Sequence, residues 1–277
     1  MRVFITASIL LFAALMAGCG ETPDAEVRNI AAILSPDGSR IAFVRSFHYY
    51  VNKASVFDPS GWEEDVYSET SVYIIDKSTR SVTKLGKVSE DWYYCDRYNC
   101  PVNISWEDDL VAYSTRDAVY ITDLDGNGRG VIDISTRKYG PVIPLTLSGD
   151  AQKLFYLGRH PWEHDREGLY SVRIDGSDKS FISDLGNLEY YDVYDMLWYS
   201  GQDSILIVEG LYQSGDPLIW QIDPEKGGLE ESLDGLQEYR RRRLGGREAE
   251  PPFPELEELT KDITYAEWDV PPPDEFD

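Results

Sequence analysis

Residues 34–44 read LSPDGSRIAFV, in which one apolar run enters a turn and a second apolar run leaves it. Pro36 sets φ for the turn, and Asp37 with Gly38 tolerates the backbone angles that reverse the chain, so the stretch predicts a β-hairpin. Residues 30–34 and 41–44 are apolar at nearly every position, as in strands that are buried on both faces. A solitary hairpin cannot bury such faces, so the sequence predicts that the unit is repeated.

The repeat is clearest in a third strand, which carries an aromatic residue at its second position each time: Tyr73, Tyr120, Tyr170 and Trp220. The interval is about 50 residues, which fits one blade of a β-propeller. The first hairpin also recurs in decayed form at residues 148–156. Four four-stranded units are therefore predicted near residues 30–87, 102–135, 143–185 and 194–234.

The Ser-Pro-Asp-Gly turn at residues 35–38 and the Val/Leu-Tyr strands resemble the repeat of TolB-type, WD40-like β-propellers. The resemblance implies an all-β fold, a β-propeller of four-stranded antiparallel blades over residues 30–235. TolB-type propellers usually have six blades, whereas this sequence shows four and at most part of a fifth. Relatives bind other envelope proteins through propeller loops, so the resemblance implies an envelope protein as partner.

The N-terminus predicts export. Arg2 followed by the uncharged apolar residues 3–17 is typical of a signal peptide, here residues 1–18. Residues 16–19 resemble a bacterial lipobox, which implies lipidation of Cys19, a membrane anchor and a short tether at residues 19–29. The alternative is an ordinary signal peptide with a chance cysteine. Gly20 after the cysteine favours the outer membrane over the inner one, with the protein facing the periplasm.

The charge of the chain limits its expected partners, and its cysteine content predicts a disulfide. The formal net charge is −24, from 50 acidic and 26 basic residues, and such a chain repels phosphate backbones, so nucleic acid is not an expected partner. With Cys19 lipidated, Cys95 and Cys100 remain as a pair that predicts a disulfide in an exported protein. Zinc binding is the alternative, and it requires two further ligands that the neighbouring sequence does not offer.

The composition changes after residue 235. Residues 236–277 are acidic and Pro-rich, and they are predicted to form a mobile tail. Residues 240–243 are four arginines, predicted as a solvated segment, with a specific anionic partner as the alternative. Residues 263–268 alternate in polarity and can add a strand.

Loops at one end of the predicted propeller are short and polar, whereas those at the other end are long and aromatic and include a long insertion in the first unit at residues 46–70. Tyr and Trp are enriched at binding sites, so the long-loop end is predicted as the binding face. The alternative is that some of these side chains fold inward and cap the core. The predicted binding residues are Tyr49, Tyr50, Trp62, Trp92, Tyr93, Tyr94, Tyr139, Trp162, Tyr190, Tyr191 and Tyr212.

No catalytic motif is found, so the chain is predicted not to be an enzyme and to need no cofactor. His48, His160 and His164 fall on the long-loop face, but a metal site is not favoured, because Pro161 argues against the helix that would bring two of them together. Residues 123–128 resemble the start of an EF-hand loop, but Ile134 stands where the bidentate Glu is needed. The predicted function is a lipid-anchored binding or scaffold module. The alternative is a hydrolase or lyase that acts on an envelope polymer at the same face.

Overall fold

The computed structural model describes residues 24–55, 58–89, 103–115, 118–133, 144–159, 167–185, 193–209, 218–243 and 254–276. Within these ranges the chain forms four antiparallel sheets of four strands, and the strands of each sheet pair in chain order. The predicted all-β architecture of four-stranded propeller blades is confirmed.

The strands of blade 1 are β1 (Asp24–Leu34), β2 (Arg40–Ser55), β3 (Asp58–Asp76) and β4 (Val82–Ser89). Blade 2 has β5 (Ile104–Glu107), β6 (Leu110–Ser114), β7 (Ala118–Asp123) and β8 (Gly128–Asp133). Blade 3 has β9 (Leu145–Leu147), β10 (Lys153–Arg159), β11 (Glu167–Arg173) and β12 (Ser180–Asp184). Blade 4 has β13 (Val193–Tyr199), β14 (Ser204–Glu209), β15 (Leu218–Asp223) and β16 (Gly227–Glu231).

The Ser-Pro-Asp-Gly turn between β1 and β2 forms as predicted. The backbone N–H of Gly38 donates to the carbonyl of Ser35 (3.0 Å), and the N–H of Ser35 donates to the carbonyl of Arg40 (2.9 Å). Gly38 has φ +76°, a left-handed value that glycine adopts without a steric penalty. The Asp37 carboxylate accepts from the Ser39 N–H (3.0 Å), which locks the reversal.

Neighbouring blades pack face to face, because successive side chains of a strand point to opposite faces of its sheet. Along β6, Val111 and Tyr113 belong to the core shared with blade 1, whereas Leu110 and Ala112 belong to the core shared with blade 3. A third core joins blade 3 to blade 4. The first strands lie innermost, with β5 beside β1 and β9, and β9 beside β13.

In blade 1, strands β2 and β3 are far longer than any other strands, and they continue together as a ribbon. The pairing runs on from Ser46 with Thr70 to Ser55 with Asp58. The sequence was expected to form a long loop insertion over residues 46–70, and this expectation was wrong. The alternation of Phe47 and Tyr49 with polar neighbours is the strand pattern that indicates a half-buried sheet.

Three short helices follow blade 4: α1 (Leu233–Arg242), α2 (Pro254–Thr260) and α3 (Tyr265–Trp268), with a 3₁₀ turn at Pro273–Phe276. Helix α1 covers the face of blade 4 that points away from blade 3, and Tyr239 packs with Leu206 and Ile219 there. Gly235 permits the close approach, since a Cβ atom on it would lie 2.8 Å from a Leu206 methyl.

Helices α2 and α3 cover the face of blade 1 that points away from blade 2. Leu256 and Trp268 are buried there against Phe43 and Tyr73. The rings of Trp268 and Tyr73 meet edge to face with their centroids 5.1 Å apart. Each sheet face at the two ends of the row of blades is therefore covered by a helix from the C-terminal part of the chain.

These helices correct the prediction for residues 236–277. The described parts of this segment are packed helices and not a mobile tail, because their apolar side chains have the outer faces of two blades to bury against. Residues 263–268 supply helix α3 and not an added strand. The predicted tether at residues 19–29 is also shorter, since β1 begins at Asp24.

Candidate functional site

The two ends of the propeller differ in how they use their polar groups. The turn end carries the hairpin turns within each blade, and the carboxylates there accept hydrogen bonds from their own turns. Hydrogen bonds from Ser35 and then Ser39 hold the pKa of Asp37 at about 2. The same arrangement recurs at Asp76, Asp150, Asp175 and Asp223. These carboxylates stabilise hairpins.

Asp123, in the stretch that resembles an EF-hand loop, belongs to the same class of turn. Its Oδ1 accepts from the backbone N–H groups of Asn127 (2.8 Å) and Asp125 (3.1 Å), and Arg129 donates to its Oδ2 at 3.0 Å. The side chain is therefore engaged by its own hairpin between β7 and β8.

The opposite end, here called the ribbon end, carries the ribbon of β2 and β3. Tyr49 was predicted as part of a binding face, and the structure corrects this. The side chain is fully buried, its ring lies 5.2 Å from that of Tyr67, and its hydroxyl donates to the carbonyl of Pro271 (3.0 Å). Tyr49 folds inward because residues 254–276, here called the C-terminal segment, cover this side of blade 1.

Tyr50 is half-buried on the ribbon, on the opposite side of the sheet from Tyr49. Its ring stacks on that of His48 with a centroid separation of 5.2 Å. His48 is buried, and its Nε2 lies 2.7 Å from a carboxylate oxygen of Asp65 on the paired strand. His48 on β2 is therefore held within blade 1 by Asp65 of the adjacent strand β3.

The structure describes little of the remaining predicted site residues. The backbone of Trp62 pairs with Lys53 near the tip of the ribbon, and its side chain is outside the described part. Outside the described residues lie Cys19, Trp92, Tyr93, Tyr94, Cys95, Cys100, Tyr139, His160, Trp162, His164, Tyr190, Tyr191 and Tyr212.

A polar network that the sequence did not reveal joins β3, β4 and the C-terminal segment. The buried Glu69 carboxylate accepts from Lys84 (2.7 Å), Ser71 (2.8 Å) and Tyr67 (3.0 Å). Burial raises the pKa of Glu69, but the hydrogen bonds from Lys84 and Ser71 outweigh burial and leave the pKa below its usual value. Lys84 also donates to the carbonyl of Asp269 (3.1 Å), which ties this network to the C-terminal segment.

A second network lies at the centre of the propeller, where α1 ends. Arg243 donates to the carbonyl of Ile104 on β5 (2.7 Å) and to the carboxylate of Asp195 on β13 (2.7 Å). Asp195 also accepts from the Tyr239 hydroxyl (3.1 Å) and from the Asn103 amide (3.0 Å). One arginine thus bridges the innermost strands of blades 2 and 4.

Arg242 makes the neighbouring contact. It donates to the carbonyl of Trp106 (2.6 Å) and to the carboxylate of Glu107 (3.0 Å), and both charged side chains are almost completely buried. Burial raises the pKa of Glu107 to about 7, against the attraction of Arg242. Desolvation likewise lowers the pKa of Arg242. We call Arg242, Arg243, Glu107, Asp195 and Tyr239 the axial cluster.

The axial cluster corrects the prediction for residues 240–243. Arg240 is exposed, whereas Arg242 and Arg243 are 1% and 7% exposed. The anions that they meet are carboxylates of this same chain, far away in the sequence. The arginines also satisfy carbonyls on the inner edge of β5, which no further strand pairs within the described blade.

The described part of the chain contains no cluster of three or more His, Cys, Asp or Glu side chains with the arrangement of a metal site. None of the helices described is long and apolar enough to cross a membrane. The described part of the ribbon end is a surface of paired strands that carries aromatic side chains. The buried charged groups described above form ion pairs with one another.

No family model matches the chain, and no curated protein matches it. Among solved structures, one described as TolB from Agrobacterium tumefaciens is 14% identical, with a TM-score of 0.41, over 76% of this chain and 87% of that one. A chain of a nidogen/laminin complex is 10% identical, with a TM-score of 0.40, over 77% and 79%. A chain of a mitotic checkpoint complex is 12% identical, with a TM-score of 0.34, over 76% and 84%.

Proposed function

We propose that this chain is a protein-binding or scaffold module whose binding surface is the ribbon end of the propeller. The ribbon is the observation that carries the proposal. The pairing of β2 with β3 extends out to Ser55 and Asp58. The described pairing of β3 with β4 extends only to Thr70. The ribbon extends the surface of blade 1, and aromatic residues are plentiful in the sequence of this end.

The turn end supports the proposal by contrast. Its connections are short, and its aspartates are engaged by their own hairpins, as at Asp37 and Asp175. A surface built from such turns has few side chains left to make a specific contact. The ribbon end instead presents Tyr50 and the half-buried Val51 at the point where the sheet narrows from three strands to the two strands β2 and β3.

We also propose that the protein is exported and anchored to the outer membrane by a lipid on Cys19. The folded domain then faces the periplasm. Asp24, the first residue of β1, pairs with Tyr50 at the ribbon end. Only residues 20–23 separate it from Cys19, and the five Cα–Cα steps from Cys19 to Asp24 span at most about 18 Å. A lipid on Cys19 would therefore hold the ribbon end near the bilayer, and the proposed partner is an envelope protein at the membrane surface. The Cys95–Cys100 disulfide remains a prediction.

Site-specific photocrosslinking in the intact envelope tests the proposed surface. A photoreactive phenylalanine analogue at Val51 on the ribbon should give a discrete protein adduct, and the same analogue at the exposed Thr79 of the turn end is the matched control. An adduct at Thr79 with none at Val51 would reverse the assignment. Trp62→Ala should weaken binding to the captured protein by about 1 kcal/mol or more, and Asp175→Ala should change it little.

Metabolic labelling with a fatty acid tests the anchor separately. The natural protein should take up the label, and Cys19→Ser should not, because the thioether needs the cysteine sulfur. Label at the natural level in Cys19→Ser would refute the lipid anchor while leaving the ribbon-end proposal standing.

A further inference from the structure

Residues 254–276, the C-terminal segment, dock on blade 1. Hydrogen bonds connect Asn29 to Glu257 (2.7 Å), Arg45 to Thr260 (3.3 Å) and Tyr73 to the carbonyl of Trp268 (3.2 Å). The apolar side chains of the segment share one core with blade 1 residues alone. The contact is thus a self-contained interface between a sheet face and a short helical segment.

The interface has the composition of a recognition surface, with an aromatic centre and a charged rim. Trp268 lies at the centre, edge to face with Phe43 at 6.0 Å between centroids. The guanidinium of Arg45 lies over the Trp268 ring, 4.4 Å from its centroid, and it is also within 5.5 Å of the centre of Phe47. A cation over the face of a tryptophan adds attraction and orientation to the apolar contact.

The rim is complementary in charge. Blade 1 supplies the cations, and the segment supplies the anions: Lys77 with Glu255 (2.5 Å), Arg80 with Asp262 (3.5 Å) and Lys84 with Asp269 (3.5 Å). A basic rim is unusual on a chain whose net charge is −24, so this face is selective for an acidic segment.

We infer that this face of blade 1 also accepts the C-terminal segment of a second copy of the chain, so that two molecules exchange residues 254–276 and form a dimer. Residues 243–253 connect α1 to the segment, and eleven residues span at most about 40 Å. The described contacts are the same whether the segment comes from its own chain or from a neighbour. Exchange therefore needs no new interface, which makes it a low-cost route to a dimer.

A charge-swap pair of full-length variants tests this inference. The rim variant carries Lys77→Glu and Arg80→Glu, and the segment variant carries Glu255→Lys and Asp262→Lys. In each variant alone the rim and the segment repel. In a mixture, each segment meets a complementary rim only on the other variant. All four side chains are partly exposed and lie outside the apolar core, so both variants should fold.

Size-exclusion chromatography with light scattering should show a one-to-one heterodimer in the mixture, with about tenfold more dimer than either variant gives alone. The control replaces the rim variant with Lys179→Glu on blade 3, an equally exposed change away from the interface, and should give no such increase. A mixture that contains no more dimer than its components would overturn the inference.

Isotope mixing tests the natural sequence without any substitution. Protein with natural nitrogen and protein labelled with ¹⁵N are refolded together and treated with an amine-reactive crosslinker. Crosslinks from Lys261 of the segment to Lys77 of blade 1 should include pairs of mixed isotope, about half of the total at full exchange. Crosslinks from Lys153 to Lys179 within blade 3 should stay unmixed. Lys261–Lys77 crosslinks without mixed pairs would contradict exchange.

Discussion

In the described part of the chain, helices after blade 4 cover one sheet face of blade 1 and one sheet face of blade 4, and they do so by different means. On blade 1, α2 and α3 bring an aromatic cluster, in which Trp268 meets Phe43 and Tyr73. On blade 4, the single helix α1 brings Tyr239 and two buried arginines that reach across to blade 2. The first cover has an aromatic centre and a rim of partly exposed ion pairs, whereas the second places two ion pairs inside the fold.

The difference reflects position. The outer face of blade 1 is apolar along β2 and β3, so its cover gains free energy roughly in proportion to the apolar area that it buries. Helix α1 ends at the centre of the propeller, beside the inner edge of β5, where backbone carbonyls need donors. Arginine suits this place, because one guanidinium donates to several carbonyl and carboxylate oxygens at once.

Removing Trp268 should have the largest effect of all. Trp268→Ala deletes a 2% exposed side chain from the middle of the aromatic cluster, so the free energy of unfolding should fall by about 3–5 kcal/mol. Trp268→Phe, which keeps an aromatic ring at the site, should lose clearly less. Urea unfolding followed by circular dichroism measures both. A loss below about 1 kcal/mol for Trp268→Ala would show that the blade 1 cover is only loosely held.

The axial cluster should respond to Arg243→Ala with a loss of about 3 kcal/mol, because the change leaves the Asp195 carboxylate buried with one cation fewer. Arg241→Ala is the control on the same helix. Its guanidinium pairs with Glu238 near the surface, and such pairs are worth at most about 0.5 kcal/mol. Equal losses in the two variants would mean that burial of the arginine does not matter.

Glu107 should make the stability of the blade 4 cover depend on pH. Burial raises its pKa to about 7 in the folded protein, from the ordinary value of 4.5, so the folded state binds a proton more tightly than the unfolded state. The stability from this proton is present below pH 4.5 and is lost as pH rises through 7.

The natural protein should therefore lose stability relative to Glu107→Gln between pH 5 and pH 8, by an amount on the order of 2 kcal/mol. Thermal unfolding of both proteins at several pH values measures the difference. Parallel curves for the two proteins would show that Glu107 stays ionised throughout.

Tyr239→Phe should have the smallest effect. It removes the hydroxyl that donates to Asp195 (3.1 Å) and keeps the ring that packs on blade 4, so the loss should be about 1 kcal/mol. The double variant Tyr239→Phe with Arg243→Ala should deviate from additivity, because both side chains contact the same carboxylate. Additive losses in chemical denaturation would place the two contacts in separate networks.

The blades could be predicted from the sequence because their information is local. The turn at residues 35–38 carries its own backbone chemistry, and the strand that contains Tyr73 repeats at Tyr120, Tyr170 and Trp220 with the same pattern. The pattern that predicts each blade is contained within about 50 residues. The ribbon was not predicted, although Phe47 and Tyr49 alternate with polar residues, because residues 46–70 exceed the length of an ordinary blade hairpin and were expected to be an inserted loop.

The two covers could not be predicted, because their information is distant. Residues 254–276 are acidic and rich in proline, and only the face of blade 1 makes Leu256 and Trp268 core residues. Four consecutive arginines predict a solvent-exposed segment. The sequence does not show that Glu107 and Asp195 lie beside two of them in the fold. At the candidate binding end, sequence indicated the aromatic character, and only the register of β2 and β3 separated the buried Tyr49 from Tyr50.

The cover of blade 1 has a consequence for the order in which the chain matures. Asn29 contacts Glu257 and Tyr49 contacts Pro271, so blade 1 is completed by residues that are synthesised about 220 residues later. Until those residues arrive, a nascent chain exposes the aromatic face of blade 1 to chaperones and proteases. A chain interrupted before these residues keeps the aromatic face of blade 1 exposed, which gives quality-control factors an apolar surface to bind.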